Sequence, residues 1–311
     1  MSQAPESGSW AQIAHELRER EFSAAGYLAA WKLVRAVPTP VARRAADLAA
    51  DLVSDGGRGM EQLRKNLTRV VGAENVTREL VRDSMRSYAR YWREAFMLPS
   101  IADDPRHLDR LTEGMVGREA VDKSIESGRG VIWALPHSGN WDMAGHWLVA
   151  NYGGFATVAE RLKPETLYQA FVGYRESLGF EVIPLTGGEV KPFVRLKEVL
   201  NDGGIVCLMG ERDLSRHGVE VDFFGEKSTI PAGPAKLAME TGAALHVAHS
   251  WFYTDDRGDG WGLSSSDEIE VTTVEETTQR LADEFAANIV AHPADWHMLQ
   301  PQWRVDLPPG A

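Results

Sequence analysis

Three polar clusters in this chain place a base, carboxylates and guanidinium groups directly after short apolar runs. His137-Ser138-Gly139-Asn140-Trp141-Asp142 follows VIWALP, Glu160-Arg161-Leu162-Lys163 follows FATVA, and Glu211-Arg212-Asp213 follows IVCLMG. An imidazole with a carboxylate partner is a unit of general acid–base chemistry. The carboxylate orients the ring and stabilises the imidazolium that forms when histidine takes a proton. On a continuous helix, five residues turn about 500°, so His137 and Asp142 would point about 140° apart. The spacing therefore predicts a loop, with Ser138 or Asn140 capping a helix that begins near Trp141. The Asp142 carboxylate can then reach back to the ring. Glu211 is a second candidate partner for the imidazole, or one half of an ion pair with Arg212 or Arg161. By spacing alone, HSGNWD reads equally as a capped helix start whose histidine is satisfied by backbone.

No G-x-S-x-G nucleophile elbow occurs in the chain. This favours direct attack by a substrate hydroxyl, deprotonated by His137, over an acyl-enzyme route. Ser138 adjoins the base in sequence, but neighbouring side chains diverge, so it is not the expected nucleophile. Arg212, Arg216 and His217 form a basic cluster suited to the phosphates of a nucleotide such as coenzyme A, or a solvated loop. Pro231-Ala232-Gly233-Pro234 frames the start of a short helix, a structural device or an anion-facing terminus. His246 and His249 lie three apart on a probable strand and face opposite sides, so they do not clasp one metal ion. His292 and His297 flank Asp295 and Trp296, and structural or substrate-groove roles are expected for them.

These groups need elements to hold them. From about Ala11 to Ser100 the pattern is helical, including Met60 to Val71 and Thr77 to Met97, with breaks at VPTP and DGG. Beyond about Gly130, candidate strands appear at Val131–Leu135, Phe155–Ala159, Glu181–Leu185, Ile205–Met209, Leu245–Trp251 and Glu268–Thr272. Helix-like segments lie between them at Asp142–Asn151, Pro164–Ser177, Lys191–Asn201 and Pro234–Thr241. Buried apolar strands alternating with helices predict an α/β fold, a central mostly parallel sheet flanked by helices, with a helical N-terminal extension. The expected organisation is a single domain over 1–311, helical over about 11–100 and catalytic over about 110–305. In such sheets ligands sit beyond the carboxyl ends of the strands, which puts all three polar clusters on one rim.

The chain has 311 residues and a net charge of -12, which disfavours a duplex nucleic-acid binder. One cysteine, Cys207, builds no disulfide framework, and a reducing compartment fits best. The N-terminal stretch lacks the apolar core of a signal peptide, and no apolar run is long enough to span a bilayer. Phe22–Val37 has an apolar face with Tyr27, Trp31, Lys32 and Arg35, suited to a helix lying in a membrane interface or packed on the core.

HSGNWD resembles the H-x4-D block of glycerolipid and lipopolysaccharide-type acyltransferases, many of which carry Glu where this chain has Asp142. The wider sequence is similar to the actinobacterial branch that acylates phosphatidylinositol mannosides. The stretches that carry the likeness are LVRAVP, SYARYWREAFMLP, ALPHSGNWDMAG, TVAERLKPE, YRESLGFEVIPLTGGE, ERDLSRHGVEVDFFGE, PAGPAKLAMETGAAL and PADWHMLQPQW, from about Gly26 to Trp303. The resemblance implies a glycerol-phosphate acyltransferase-like fold and a palmitoyl-type acyl-CoA co-substrate without a cofactor. It implies as acceptor the 6-hydroxyl of the mannose on inositol position 2. It also implies a peripheral, monomeric enzyme on the cytoplasmic, anionic face of the plasma membrane. By the same likeness His137 is the base, with Asp142 in its motif and Glu211 as a further acidic partner. Glu160 and Arg175 line the substrate site with Arg161 and Arg212, while His217 and Glu240 contact the acyl-CoA.

Two other readings compete: an acyl-CoA hydrolase with water as acceptor, and a lipid-carrying scaffold without turnover. The presence of His137, Asp142 and Glu211 together disfavours the scaffold. If no metal takes part, acyl transfer measured before and after exhaustive chelation will proceed at one rate.

Overall fold

A computed structural model describes Gly26 and residues 37–102, 104–161, 165–213 and 217–307. Nearly all of the stretch predicted as an interfacial helix, Phe22–Val37, lies outside those residues, as do Lys163, Pro164 and Arg216. From residue 37 onward the described chain opens with α1 (Thr39–Val53), α2 (Glu61–Val71) and α3 (Arg78–Ile101). They share a small core of Ala50, Leu63, Leu67, Val81 and Met85. Helix α3 starts at the Thr77 cap, whose side chain accepts from the Leu80 N–H. Its far end sends Phe96 and Leu98 into the main core, so one long helix ties the two clusters together. Helix α4 (Pro105–Glu113) and α5 (Arg118–Glu126) then lead into the sheet.

Nine strands are described: β1 (Met115–Val116), β2 (Val131–Leu135), β3 (Phe155–Ala159), β4 (Phe180–Pro184), β5 (Ile205–Met209), β6 (Val219–Phe223), β7 (Glu226–Ile230), β8 (Ala244–Asp255) and β9 (Gly258–Ser265). Seven form one sheet in the order β1-β9-β8-β2-β5-β3-β4, and β6–β7 pair as a separate hairpin. Strands β8, β2, β5, β3 and β4 are parallel, and β9 turns back antiparallel on β8. The expected α/β class with a mostly parallel sheet is therefore what the chain adopts. Helices α6 (Trp141–Tyr152) and α7 (Glu165–Ser177) join α3 on one face, over Trp133, Phe155, Phe180 and Cys207. Helices α8 (Pro192–Asn201), α9 (Gly233–Thr241) and α10 (Val274–Ala291) cover the other face, over Ile132, Ala134, Val206 and Leu245. Because both faces are covered, the central strands read as unbroken apolar runs rather than alternating ones. Among the described residues, no helix is long and apolar enough to cross a membrane.

One strand expectation changes, and strands β1, β6, β7 and β9 were not foreseen. Glu268–Thr272 is not a strand but an irregular run into α10, joined to β8 where the Ile269 N–H donates to Leu245 O at 2.7 Å. Strand β9, GDGWGLSS, carries too much glycine to look like a strand. The structure gives the reason. Gly260 and Gly262 stand opposite Tyr253 and Trp251, whose rings lie flat over the glycines. A Cβ on Gly262 would fall 1.9 Å from Trp251 Cε2. The β6–β7 turn is a two-residue loop of Phe224 and Gly225, both at positive φ (53° and 76°), the conformation that matches hairpin twist.

Overpacking predicts that Gly262→Val will destabilise the fold by about 1–3 kcal/mol in urea unfolding. An unchanged midpoint would mean that Trp251 moves aside at no cost.

Candidate active site

Strands β2 and β5 are neighbours in parallel register, Leu135 opposite Met209. The ladder continues one step further through the Gly210 N–H, which donates to Leu135 O at 2.9 Å. His137 and Glu211 each follow a strand end by two residues, so the register brings them level. The Glu211 carboxylate Oε1 lies 2.7 Å from His137 Nδ1 and accepts the His137 backbone N–H at 2.7 Å. Glu211 is fully buried, whereas the His137 side chain is 35% exposed. Burial alone would push the Glu211 carboxyl up, but the adjacent imidazole and the donated hydrogen bonds hold it below its usual range. An ionised carboxylate only accepts, so Nδ1 carries the ring proton and Nε2 presents a lone pair. That is the tautomer a general base requires.

Asp142 does something else. It sits in the first turn of α6, where its charge favours the helix N-terminus. Its carboxylate accepts from Arg175 Nε of α7 at 2.9 Å and from Tyr91 OH of α3 at 3.1 Å. The expectation that Asp142 reaches back to His137 is thus corrected. The carboxylate is 2% exposed and is engaged by a guanidinium and a phenol, while Glu211 takes the ring. The predicted cap is present at Asn140, whose Oδ1 accepts from the Met143 N–H at 3.0 Å.

The loop carrying His137 is held from several sides. The Gly139 N–H donates to Asp295 O, the His297 N–H donates to His137 O, and Ser138 bridges to Trp296. Gly139 has φ +57°, and a Cβ there would meet the Ser250 backbone at 2.5 Å, so only glycine fits. Asn140 Nδ2 donates to Glu94 Oε2, which also receives Trp261 Nε1 at 2.7 Å, while Arg90 and Arg93 donate to Oε1. Asp295 Oδ1 accepts from Ser87 Oγ at 2.6 Å, and the same hydroxyl meets His297 Nε2 at 2.9 Å. Trp141 sets its ring edge-on to His137. Glu94 and Ser87 were not foreseen. Glu94 lies among arginines on a helix, which in sequence looks like a solvated face, yet it is 4% exposed.

The other expected residues divide. Glu160 and Arg161 follow β3 on the same rim, both exposed, with Arg161 bound to Glu165 and to Gly187 O. Arg212 and His217 belong to the loop after Glu211, closed by the Gly218 N–H donating to Asp213 Oδ2. Glu240 is not brought to the rim. It lies near the end of α9, just before β8 begins, at the opposite edge of the sheet, and its carboxylate pairs with Lys197 at 2.6 Å. Ser138 is buried and makes no hydrogen bond to the His137 ring, its Oγ being without a partner. His246 bonds Ser124 Oγ and Ser266 O, and His292 stacks on Trp251 at 4.5 Å. Among the described residues, no group of three His, Cys, Asp or Glu side chains is placed to hold a metal ion.

A narrow apolar cavity of ≈ 120 Å³ opens beside this loop, between the sheet and α6. Trp133, Leu135, Cys207 and Met209 form its sheet wall, Ala144, Gly145 and Leu148 its helix wall, and Asp142 and Arg175 its polar end. A partly exposed imidazole on a buried carboxylate, next to an apolar slot, suits a reaction in which a hydroxyl is deprotonated beside a long hydrocarbon chain.

Residues 14–305 match the profile of the bacterial lipid A biosynthesis acyltransferases. The chain is 56% identical over 286 residues to a phosphatidylinositol mannoside acyltransferase of Mycolicibacterium smegmatis, covering 91% of each chain. It is 55% identical over 287 residues to a phosphatidylinositol mannoside acyltransferase of Mycobacterium tuberculosis, covering 90% of this chain and 88% of the relative.

Burial pushes the imidazoles of His249 and His297 down to about 3. In the unfolded chain each regains an ordinary value near 6.5, so the unfolded state binds protons first. Their contribution is complete above that value and is lost as pH falls, each adding a slope of about 1.4 kcal/mol per pH unit. Glu211 reinforces the loss at the acidic end, and Asp295, held above its ordinary value chiefly by burial, opposes it. Denaturant unfolding should show stability dropping steadily from pH 7 to pH 4, and a flat profile would contradict the buried neutral histidines.

Proposed function

The chain belongs to the bacterial lipid A biosynthesis acyltransferase family, and we propose that it moves a palmitoyl-type acyl group from acyl-CoA to the 6-hydroxyl of the mannose on inositol position 2 of a phosphatidylinositol mannoside. That it is an O-acyltransferase acting on a glycolipid follows from the family and from relatives at 55–56% identity. The choice of donor, the hydroxyl and the catalytic roles are the proposal.

The observation that carries the mechanism is the contact between Glu211 and His137 Nδ1 at 2.7 Å, beside an apolar cavity. In the proposed reaction the acyl chain lies in the cavity and its thioester carbonyl reaches the His137 loop. His137 Nε2 removes the proton of the mannose hydroxyl as that oxygen attacks the carbonyl carbon. Glu211 stabilises the imidazolium while the tetrahedral intermediate exists. The intermediate then collapses, the carbon–sulfur bond breaks, and the imidazolium returns its proton to the thiolate of coenzyme A. The ester is formed, free thiol leaves, and His137 is neutral again.

Arg175, fixed by Asp142, presents a charged donor at the polar end of the cavity, suited to the acceptor headgroup together with Glu160 and Arg161. Arg212 supplies positive charge, and His217 a ring N–H, for the coenzyme A phosphates. Glu240 is omitted from this assignment, because it stands at the other edge of the sheet. On α1, Val41, Leu48 and Leu52 are exposed with Arg43 and Arg44 on the same helix. Exposed apolar and basic groups on one helix support a peripheral position on an anionic membrane surface.

His137→Ala should lower acyl transfer by about 10²- to 10⁴-fold with the fold intact by circular dichroism. Retained transfer would remove the base from the mechanism. Glu211→Gln should lower kcat more than it raises KM. The same assay, run with and without mannolipid and read by mass spectrometry, separates transfer from hydrolysis. Acyl-CoA consumption that ignores the lipid and yields no acylated product would make this protein a hydrolase.

A further inference from the structure

The side chains of His137 and Glu211 meet at 2.7 Å, but their backbones are held by a distant part of the chain. The last rung between β5 and β2 is the Gly210 N–H to Leu135 O, so the Glu211 carbonyl lies beyond the ladder. A buried carbonyl there needs a donor from outside the sheet. Gln302 supplies it, its Nε2 donating to Glu211 O at 2.6 Å. The His137 carbonyl is held in a matching way, accepting the His297 N–H at 2.8 Å. Residues 297 and 302 belong to one short segment after α10, so a single stretch of chain takes hold of both backbones.

That segment is itself anchored. Asn66 of α2 has no exposed surface, and its Nδ2 donates to Met298 O at 2.8 Å and to Gln300 O at 2.9 Å. Trp303 is fully buried, and its Nε1 donates to Phe223 O at 3.2 Å. Gln302 is thus bracketed by fixed positions on both sides. The Ser228 hydroxyl of β7 adds another hold, donating to Gln302 O at 2.9 Å and accepting from its Nε2 at 3.3 Å. With the Gln302 side chain buried as well, its amide has little freedom to swing away from Glu211.

The way Glu211 is bound makes this hold matter. Its Oε1 carries both contacts to His137, while among the described residues its Oε2 has no partner. A carboxylate gripped at one oxygen takes its aim from its backbone. A shift of that backbone would carry Oε1 away from Nδ1, and small misplacements at a reacting centre cost large factors in rate. We infer that Gln302 is a positioning residue for the reaction, an amide that sets the backbone of Glu211 and through it the orientation of the His137 ring. The inference rests on the reading of His137 as the base and Glu211 as its partner.

Gln302→Met keeps the length and bulk of the side chain and deletes the donor. Steady-state acyl transfer by this variant should show kcat lowered about tenfold or more, with KM for acyl-CoA and for the mannolipid unchanged. A double-mutant cycle with Glu211→Gln separates positioning from general destabilisation. If Gln302 acts through Glu211, the double variant is no slower than Glu211→Gln alone. Losses that multiply would reveal an independent structural effect and overturn the inference. A folded Gln302→Met with full kcat beside a slow Glu211→Gln would overturn it too. Full rate in Glu211→Gln would instead remove the reading beneath the inference, and the inference with it. Ser228→Ala loosens the same amide by a smaller truncation. It should lower kcat by a smaller factor, again absorbed by Glu211→Gln. Should circular dichroism show Gln302→Met unfolded, Ser228→Ala decides, and full kcat there overturns the inference.

Discussion

A carboxylate with no exposed surface has to find its donors inside the protein, and the architecture of this molecule around the sheet edge follows from how Glu211 does so. Its Oε1 takes both the ring and the backbone N–H of His137. That is possible only because β2 and β5 lie side by side in register and release their chains after the same number of residues. A slip of one residue would carry the imidazole to the other face and leave a buried charge unpaired, which costs several kcal/mol. The ion pair therefore polices the register, and the register delivers the imidazole to the rim. The straps from Asp295 and His297, the left-handed Gly139 and the Asn140 cap hold the intervening loop in the one shape that satisfies both demands.

Much of this was readable in the residues. Apolar runs such as VIWAL and IVCLM mark strands buried on both faces, and polar clusters just beyond them mark the carboxyl rim. The cap at Asn140 followed from residue type. What could not be read was which partner each charged group would choose. Spacing relates Asp142 to His137 along the chain, but it says nothing of α7, whose Arg175 arrives from another part of the sequence to take that carboxylate. Glu94 and Ser87 were hidden for the same reason. Their partners, Trp261 and Asp295, lie 167 and 208 residues away. Strand β9 went unread, since a glycine opposite an aromatic ring is a packing choice that looks like a turn signal. Glu240, at a helix end on the far edge of the sheet, shows the limit of carrying a residue over on local likeness alone.

The site divides labour between two carboxylates that sequence reasoning had grouped. Glu211 is buried to serve the imidazole, and its environment keeps it ionised. Asp142 is buried to hold Arg175, and through it a positive charge at the polar end of the apolar cavity. In the proposed reaction one acts on the proton and the other on position. Asp142 follows His137 by a short loop, yet the two carboxylates answer to different helices and strands. A change that moves α7 should therefore disturb the alignment of the acceptor before it disturbs the base.

Strand β8 has a consequence for how the chain comes to be active at all. Its first half completes the parallel sheet beside β2 and its second half turns to pair with β9, so it serves as a splint between two regions. The segment that follows α10 then crosses back to tie down the histidine loop from more than half the chain away. Contacts of that separation form late, because the loop they close is long and its entropy must be spent first. During synthesis the N-terminal helices and the first parallel strands can gather while the loop bearing His137 still lacks its straps. The apolar cavity and the His137 loop are thus completed by the last part of the chain to emerge, and partly made molecules have the scaffold without the finished site.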